Sequence, residues 1–326
     1  MKKKVWSPTY RLTLFSLAAA LCCGTGTAGA GVKADFEYML SDFSGPIPSQ
    51  WARLDLDRHF REIYTFKRGD RQVQIFNENG MEIFSFELQD NAASVTDMTV
   101  GDDGSIYLLA NRGATTSIIT LDYRGEPAGL IELSNLPPAM EAFHSDRLVH
   151  RNNSFYLLDS TSLRIMEVSG SGAFKKLHRL GVELRNIAAE QDRERKRTQG
   201  LEIGGFAVDD QGVIYFTVPV LFAAFRLNQA GILESFGRSG SGPGKFGVVS
   251  GIAGDEHGNI YVSDRLRSVV MIFDRTFEFL GEFGYRGHGK ENLIVPDDIA
   301  VDGKAGRVYV AQAANRGVSV FRVVFQ

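Results

Sequence analysis

Short apolar segments separated by turns run along most of the chain. Segments such as Val269–Phe273 (VVMIF) are continuously apolar, others alternate between apolar and polar residues, and each is bounded by glycine, asparagine or aspartate. Runs of this length, rich in β-branched and aromatic residues, are typical of strands. The pattern therefore predicts an all-β protein in which each unit reads strand, tight turn, strand, loop, strand, tight turn, strand.

An apolar residue followed by tyrosine marks six copies of this unit. Successive tyrosines are 43, 49, 59, 46 and 48 residues apart, a period that fits a blade of four short strands. The spacing predicts a six-bladed β-propeller. The six pairs are Ile63-Tyr64, Ile106-Tyr107, Phe155-Tyr156, Ile214-Tyr215, Ile260-Tyr261 and Val308-Tyr309.

Two turns recur in phase with the tyrosines. Three residues before the tyrosine, four repeats carry glycine and the third carries Asn153, as expected for a hairpin bend with positive φ. The first repeat has Arg61 there, which predicts a longer turn. A second glycine follows the tyrosine by 16 or 18 residues in four repeats, whereas the fifth repeat has Phe277. The glycines are Gly104, Gly212, Gly258 and Gly306 in the first set and Gly80, Gly125, Gly172 and Gly231 in the second.

The sixth repeat ends one strand short, after the apolar segment 318–325. A strand-like segment, Asp35–Leu40, lies before the first repeat and belongs to no repeat of its own. We expect this N-terminal strand to complete the last blade, because closing the ring leaves no open face between blades and ties the two ends of the chain together.

Residues 1–30 have the features of a secretory signal peptide. A basic start is followed by the apolar run Leu12–Cys23 and by Ala28-Gly29-Ala30, a small-x-small site that would release Gly31 as the new N-terminus. The run has twelve residues, whereas a membrane span needs about 20. The sequence predicts export to the periplasm or the extracellular space and one propeller domain over residues 31–326. A lipid anchor on Cys22 or Cys23 is the less favoured alternative, because Leu21 stands where lipoproteins carry a small residue.

Removal of this leader changes the charge and the cysteine content. Both cysteines leave with it, as do four of the 36 basic residues, so 32 basic residues face 39 acidic ones and the net charge is −7. A negative protein is a poor partner for nucleic acid or an anionic membrane surface. Disulfide, thiol and haem-attachment chemistry are absent from such a chain. No cofactor and no transmembrane segment are expected in the mature protein, which we expect to be a monomer.

Two segments of the chain resemble the NHL repeat. One comprises Phe236–Phe246 and continues to Ile252-Ala253, and the other begins at Phe283-Gly284 and continues to Pro296–Asp302. The resemblance implies a six-bladed propeller whose rims bind proteins, peptides, RNA or small molecules, without implying one function. The leading hypothesis is an exported binding or scaffold module with a protein or peptide partner in the cell envelope. An enzyme is the less favoured interpretation.

The rival hypothesis is a hydrolase or lyase acting at the mouth of the central channel, as in the lactonases and strictosidine-synthase-like enzymes among six-bladed propellers. A calcium lactonase needs several oxygen ligands that converge on the axis. When the repeats are aligned on their tyrosines, only Asp297 is acidic among the six positions where such ligands would lie. A lyase would need histidines that converge from several blades, but the six histidines fall at unrelated positions of the repeat. Whether a metal binds there is left open. The aligned positions are Ala52, Thr96, Ser145, Gly204, Ser250 and Asp297.

One residue further on, three repeats carry aspartate: Asp97, Asp146 and Asp298. On a shared rim they would form an acidic mouth for a cation or a basic peptide. The alternative is that each accepts backbone hydrogen bonds where the strand begins. Asp297 and these three residues are the candidate binding residues of the channel.

The widest gap between repeats, between the third and the fourth, contains the charged, helix-compatible run Ala188–Thr198. Most such runs are solvated surfaces; docking of a partner is the alternative. Its candidate binding residues are Arg193, Arg195, Lys196 and Arg197.

Overall fold

The computed structural model describes residues 31–47, 52–67, 71–88, 94–113, 115–140, 143–191, 200–313 and 316–326. Over these ranges the chain forms six four-stranded antiparallel sheets, which confirms the six-bladed propeller. The signal peptide and the four basic residues Arg193, Arg195, Lys196 and Arg197 lie outside the described residues, so the predictions made for them remain predictions. No helix in the described part is long and apolar enough to cross a membrane.

The blades are numbered along the chain, and the strands of a blade are called inner, second, third and outer. Blade 1 comprises Arg53–Asp57, Glu62–Lys67, Gln72–Phe76 and Glu82–Glu87. Blade 2 comprises Ser94–Val100, Ile106–Arg112, Thr115–Leu121 and Pro127–Glu132. Blade 3 comprises Arg147–Arg151, Ser154–Asp159, Arg164–Ser169 and Phe174–Arg179.

The second half of the ring repeats this arrangement. Blade 4 comprises Phe206–Val208, Ile214–Val218, Ala223–Leu227 and Leu233–Phe236. Blade 5 comprises Val249–Gly254, Ile260–Asp264, Val269–Phe273 and Phe279–Gly284. Blade 6 takes its inner, second and third strands from Pro296–Asp302, Arg307–Gln312 and Val318–Phe325, and its outer strand is Val32–Met39. The described residues also form a small two-stranded ribbon, Ser41–Asp42 with Gly45–Pro46, and two short 3₁₀ helices, Pro138–Met140 and Pro219–Leu221.

The N-terminal strand closes the ring as the sequence predicted. Val32 lies opposite Phe325 and Met39 opposite Ser319 in an antiparallel pairing. Glu37 accepts hydrogen bonds from Arg307 at 2.8 Å and from Arg322 at 2.6 Å, which ties this strand to the second and third strands of its blade. Burial alone would raise the pKa of Glu37, but the hydrogen bonds from the two arginines lower it below its usual value.

The six inner strands surround a central channel. Each lies against the inner strands of both neighbouring blades, including blade 6 against blade 1. All six begin at the same end of the channel, because every blade enters through its inner strand and returns to that end through its outer strand. We call this end the mouth face; the connections between blades lie on it.

The turn positions adopt the backbone conformation that the sequence predicted. Gly258 has φ +86° and Asn153 has φ +55°. Arg61 also has a positive φ, +57°, and its turn has four residues, as in blade 6. The expectation of a longer first turn was therefore wrong, because Arg61 itself takes the left-handed conformation. Phe277 does the same with φ +70°.

The apolar hairpin of blade 4 is part of the core. Val218, Leu221, Ala223 and Phe225 are all buried in a cluster between blades 3 and 4. The rings of Phe216 and Phe225 stack at 5.0 Å between centroids. The hairpin therefore contributes to the packing between these two blades.

An α-helix, α1, spans Gly181–Gln191 in the connection between blades 3 and 4. Its buried residues Leu184 and Ala188 follow Leu180 at four-residue spacing and pack in the same cluster as Leu221. The sequence placed the helix-compatible run at Ala188–Thr198; in the structure the helix starts earlier, because the apolar contacts that hold it come from residues 180–188.

Candidate functional site: the channel mouth

Irregular pairing marks the start of several inner strands. The register of the inner strand against the second strand shifts between Val95 and Asp97 in blade 2, and between Pro296 and Ile299 in blade 6. A bulge re-aims the side chains next to it and ends regular pairing. Asp97 follows the first of these bulges, and Asp297 and Asp298 occupy the second.

A cavity of about 170 Å³ opens at the mouth, and a narrower space of about 80 Å³ continues along the channel. Glycines 204, 205 and 251 contribute no side chain to the lining, which leaves room at the centre. The charged residues that line the mouth cavity are Arg53, Arg147, Glu202, Arg265 and Asp297.

Two of the candidate aspartates connect neighbouring blades. Asp298 of blade 6 accepts a hydrogen bond from the backbone N–H of Leu54 in blade 1 at 2.9 Å. Asp97 of blade 2 accepts one from the N–H of Leu148 in blade 3 at 2.8 Å. Each carboxylate therefore satisfies a buried backbone donor where the next inner strand begins, which is the structural role weighed above for these residues.

Their burial alters their acidity. Burial raises the pKa of Asp97 to about 7, although the guanidinium of Arg53 acts in the opposite direction. The pKa of Asp298 is raised to about 6 for the same reason, again against the influence of Arg53. A carboxyl group removed from water prefers its neutral form, and the nearby positive charge offsets only part of that cost.

Arg53 lies between these two carboxylates. Its Nε is 3.8 Å from Asp97 Oδ1 and its Nη1 is 3.9 Å from Asp298 Oδ2, so both contacts are longer than hydrogen bonds. The side-chain N–H groups of Arg53 have no hydrogen bond to any described residue. Burial would lower the pKa of Arg53, but the aspartates around it, Asp298 first, raise it.

Arg147 of blade 3 lines the same cavity. Its Nη1 donates to the carbonyl oxygen of Asp146 at 3.1 Å. Among the described residues no carboxylate forms an ion pair with it. Arg147 is therefore a guanidinium in the channel wall that forms no ion pair with a described residue, although Glu202 lines the same cavity.

The other two candidate aspartates are also engaged. Asp297 forms an ion pair with Arg265, and Asp146 accepts hydrogen bonds from the hydroxyl group and the backbone N–H of Ser160, the latter at 3.3 Å. The structure thus brings all four candidate aspartates to one rim, where Arg53 experiences the charge of each of them. Each of the four therefore has at least one structural contact, while Asp97 Oδ1 is buried and accepts no hydrogen bond from a described residue.

The connection that contains α1 ends at this rim. The N–H of Ile203 bonds to the carbonyl oxygen of Ser160 at 3.2 Å, and the Ser160 hydroxyl lies 3.4 Å from Glu202. The basic segment 192–199, which lies outside the described residues, joins α1 to Gly200. The candidate aspartates therefore lie on the same face as the described end of this connection, whereas Arg193, Arg195, Lys196 and Arg197 lie outside the described residues.

Sequence reasoning missed the arginines. Position for position, the residues that follow the six aligned positions are Arg53, Asp97, Asp146, Gly205, Gly251 and Asp298. Arg53 is the single basic residue among these six. Only the acidic members drew attention, because a repeated residue type is easier to recognise than an exception.

The described residues contain no group of three or more histidine, cysteine, aspartate or glutamate side chains arranged to hold a metal ion. The histidines are scattered, as their phases predicted. His150 packs among Tyr107 and Phe155, with ring centroids 4.9 and 4.8 Å away, and burial lowers its pKa. His178 lies in the outer strand of blade 3, where burial also lowers its pKa.

A larger apolar cavity of about 950 Å³ lies away from the channel, beside the outer parts of blades 1 and 2. Phe86, Ile119 and Leu130 are among its lining residues. The corresponding clefts after blades 4 and 5 hold Phe246 and Leu293, both fully buried side chains from the connections between blades. The connection after blade 1 is shorter and its residues 89–93 (QDNAA) contain no large apolar residue.

The fold and the rim define a six-bladed β-propeller with a polar channel mouth. Solved structures of similar fold include a streptogramin B lyase, with a TM-score of 0.59 and 12% identity over 90% of this chain and 98% of that one. A virginiamycin B lyase from Staphylococcus aureus aligns with a TM-score of 0.53 and 12% identity over 86% of this chain and 83% of that one. A gluconolactonase from Xanthomonas campestris aligns with a TM-score of 0.54 and 13% identity over 86% and 88% of the two chains.

No protein-family profile matches the sequence, and a sequence search of curated proteins finds no match. At identities of 12–13% the similarity to these lyases and to the gluconolactonase shows the shared fold alone. The NHL repeat therefore stays a resemblance of individual segments.

Proposed function

We propose that this protein is an exported binding or scaffold module that docks a protein or peptide partner of the cell envelope on its mouth face. One observation carries the proposal: the carboxylates at the mouth are held by backbone amides, by a serine and by an arginine instead of converging on one point. Such a rim presents fixed polar and cationic groups around a small cavity. That arrangement suits recognition of a partner more than acid–base or metal chemistry.

The hydrolase or lyase hypothesis is the second candidate, because proteins of this fold carry such activities. It needs ligands or proton-transfer groups that meet at a reacting atom. At this mouth one oxygen of Asp97 and one of Asp298 accept backbone hydrogen bonds, and Asp297 is paired with Arg265. Binding a cation or activating water through these same oxygens would require the contacts to be given up, which leaves second oxygens such as Asp97 Oδ1 for that chemistry.

The connection between blades 3 and 4 supports docking on this face. It is the longest departure from the repeat period, and function is disproportionately found in loops held by a rigid scaffold. Helix α1 anchors it through Leu184 and Ala188, and its last residues reach the cavity at Glu202. The basic residues of segment 192–199 suit an acidic patch on a partner.

Capture from the native envelope fraction tests this proposal. Replacing Arg193, Arg195, Lys196 and Arg197 with serine should leave the melting temperature unchanged and weaken capture of the partner, most strongly at low salt, where the electrostatic contribution is largest. The matched control replaces four exposed basic residues outside the mouth face with serine: Lys33, Arg124, Arg275 and Lys304.

The control protein should capture the partner as well as the wild type does. Equal loss in both proteins would show a general charge effect and contradict docking at the mouth face. A tightly bound divalent metal, together with turnover of a lactone or ester that Asp297→Ala abolishes, would replace the binding proposal with the enzyme one.

A further inference from the structure

We infer that the cavity between Arg53 and Arg147 recognises a free carboxylate group. The inference rests on the proposed function, since it names the chemistry that the mouth face would recognise in its partner. The carboxylate would come from an acidic side chain or C-terminus of that partner, or from a small carboxylic acid. The acidic composition of the rim had suggested a cation or a basic peptide; the contacts point to the opposite charge.

The first step concerns which charges are available. Asp297 is neutralised by Arg265. Asp97 and Asp298 each have one oxygen on a backbone amide of the next blade, and together they face one guanidinium, that of Arg53. Arg147 adds a second guanidinium with no ion-pair partner among the described residues. Glu202 lines the same cavity and lies 3.4 Å from the Ser160 hydroxyl, so the wall carries charges of both signs. Its guanidinium donors without an acceptor among the described residues belong to Arg53 and Arg147.

The second step concerns hydrogen bonds. A guanidinium carries five N–H donors, arranged as a fork that matches a carboxylate. The guanidinium of Arg53 lies 3.8 Å from the carboxylate of Asp97 and 3.9 Å from that of Asp298. None of its N–H donors forms a hydrogen bond with a described residue. Arg147 uses one donor on the Asp146 carbonyl oxygen. A carboxylate entering the cavity would supply acceptors to both side chains.

The third step concerns size. The cavity of about 170 Å³ has the volume of about five or six water molecules, which suits a carboxylate-bearing side chain and is below the usual range for a drug-sized ligand. Gly251 allows the close backbone packing beside the cavity, because a β-carbon there would collide with the carbonyl oxygen of Asp297. The channel narrows beyond the cavity, so the ligand would enter end-on from the mouth face.

Isothermal calorimetry with succinate, and with its neutral analogue succinamide, tests the site directly on the full-length mature protein. We expect succinate to bind and succinamide not to bind. Arg147→Met should weaken succinate binding at least about tenfold, because a hydrogen bond to a charged group is lost. Arg53→Lys keeps the charge between Asp97 and Asp298 but removes the planar fork, and it should weaken binding as well. The control is Arg185→Met on the exposed side of α1, which should bind succinate as the wild type does.

A competition experiment separates the two sources of the carboxylate. Displacement of the captured partner by succinate would show that the partner supplies the carboxylate; succinate binding without displacement would show a small carboxylic acid as the ligand. Both outcomes support the inference. Tighter binding of inorganic phosphate than of succinate, failure of succinate to bind the wild-type protein, or unchanged binding in Arg147→Met would overturn it. If partner capture then still depended on segment 192–199, the proposed function would stand without the inference.

Discussion

At the scale of single residues, a few left-handed backbone positions define the repeat. Glycine or asparagine occupies most of them, but Arg61 and Phe277 take the same conformation. Phe277 gains in return a stacked contact with Phe236, with centroids 4.6 Å apart, and Arg226 lies 4.3 Å above its ring. An aromatic contact with the neighbouring blade thus replaces the conformational ease of glycine.

We expect Gly258→Val to destabilise the protein by about 1–3 kcal/mol, because a β-branched residue is strained at φ +86°. The added β-carbon would also lie 3.2 Å from that of Arg275. Asn153→Gly, in the corresponding turn of blade 3, should be neutral or stabilising. Denaturant melts measure both changes. An unchanged midpoint for Gly258→Val would show that the turn tolerates the side chain.

The raised acidities of Asp97 and Asp298 predict a pH dependence of stability. Because their pKa values in the folded state lie near 7 and 6, above the ordinary value of 3.8, the folded protein binds these protons more tightly than the unfolded chain does. This contribution to stability is complete below pH 4 and is lost as the pH rises through 6 to 7. The loss amounts to at most about 1.4 kcal/mol per pH unit for each carboxyl group.

Asp97→Asn removes one of these titrating groups. Between pH 4.5 and 6.5 the slope of unfolding free energy against pH should be flatter in this variant by about one proton. Asp102→Asn, at an exposed position of the first turn in blade 2, serves as the control. If the curves of unfolding free energy against pH were parallel for the wild type, Asp97→Asn and Asp102→Asn, burial would not govern the acidity of Asp97.

At the scale of elements, α1 shows how an insertion is attached to a regular scaffold. Leu184 is fully buried, whereas Val182, two residues earlier, is 60% exposed. Leu184→Ala should cost about 2–4 kcal/mol, since a large apolar side chain leaves a packed cluster. Val182→Ala should change stability by less than about 0.5 kcal/mol.

Hydrogen exchange of the α1 amides is the sharpest measurement of this difference. In Leu184→Ala the helix should lose protection, while the blade strands keep theirs, if the helix opens locally. Similar protection of α1 in both variants would mean that the helix is held by contacts other than Leu184.

At the scale of the whole molecule, closure of the ring depends on Val32–Met39. A chain that begins at Gln50 would leave Val318–Phe325 as an open edge, with the apolar side chains of Phe321 and Val323 uncovered. Open apolar edges invite pairing between molecules. We expect a lower melting temperature and self-association by light scattering. A monomer with the melting temperature of the mature protein would refute the role of this strand.

Removal of the predicted signal peptide gives a further whole-molecule prediction. We propose cleavage after Ala30, so N-terminal sequencing of the exported protein should read Gly-Val-Lys-Ala. In the structure the N–H of Gln326 bonds to the carbonyl oxygen of Gly31 at 2.9 Å, so a chain starting there retains its closing contacts. A lipid-modified Cys22 or Cys23 would instead make the protein membrane-anchored.

The fold was largely predictable because its determinants are local. A turn that needs a positive φ is recognisable from its own residues, as at Gly258 and Asn153. The number of times this turn recurs along the sequence gives the number of blades. The closing strand was predictable for a related reason: Asp35–Leu40 had strand character but no repeat, and the last repeat lacked a strand. The start of α1 was not predictable, because Leu180 and Leu184 gain their meaning only from the cluster around Leu221.

By itself the sequence determined the number of blades, their strand order, the turn positions and the phase that brings Asp97, Asp146, Asp297 and Asp298 to one rim. Only the tertiary structure decided what those charges do. Asp97 meets an amide 51 residues away and Asp298 meets one 244 residues away, so no local pattern reveals that each carboxylate is engaged. In a closed ring each inner strand begins beside its neighbour, so its backbone N–H groups need acceptors from the adjacent blade. The carboxylates of Asp97 and Asp298 serve as those acceptors, and the guanidinium groups of Arg53 and Arg147 face the cavity.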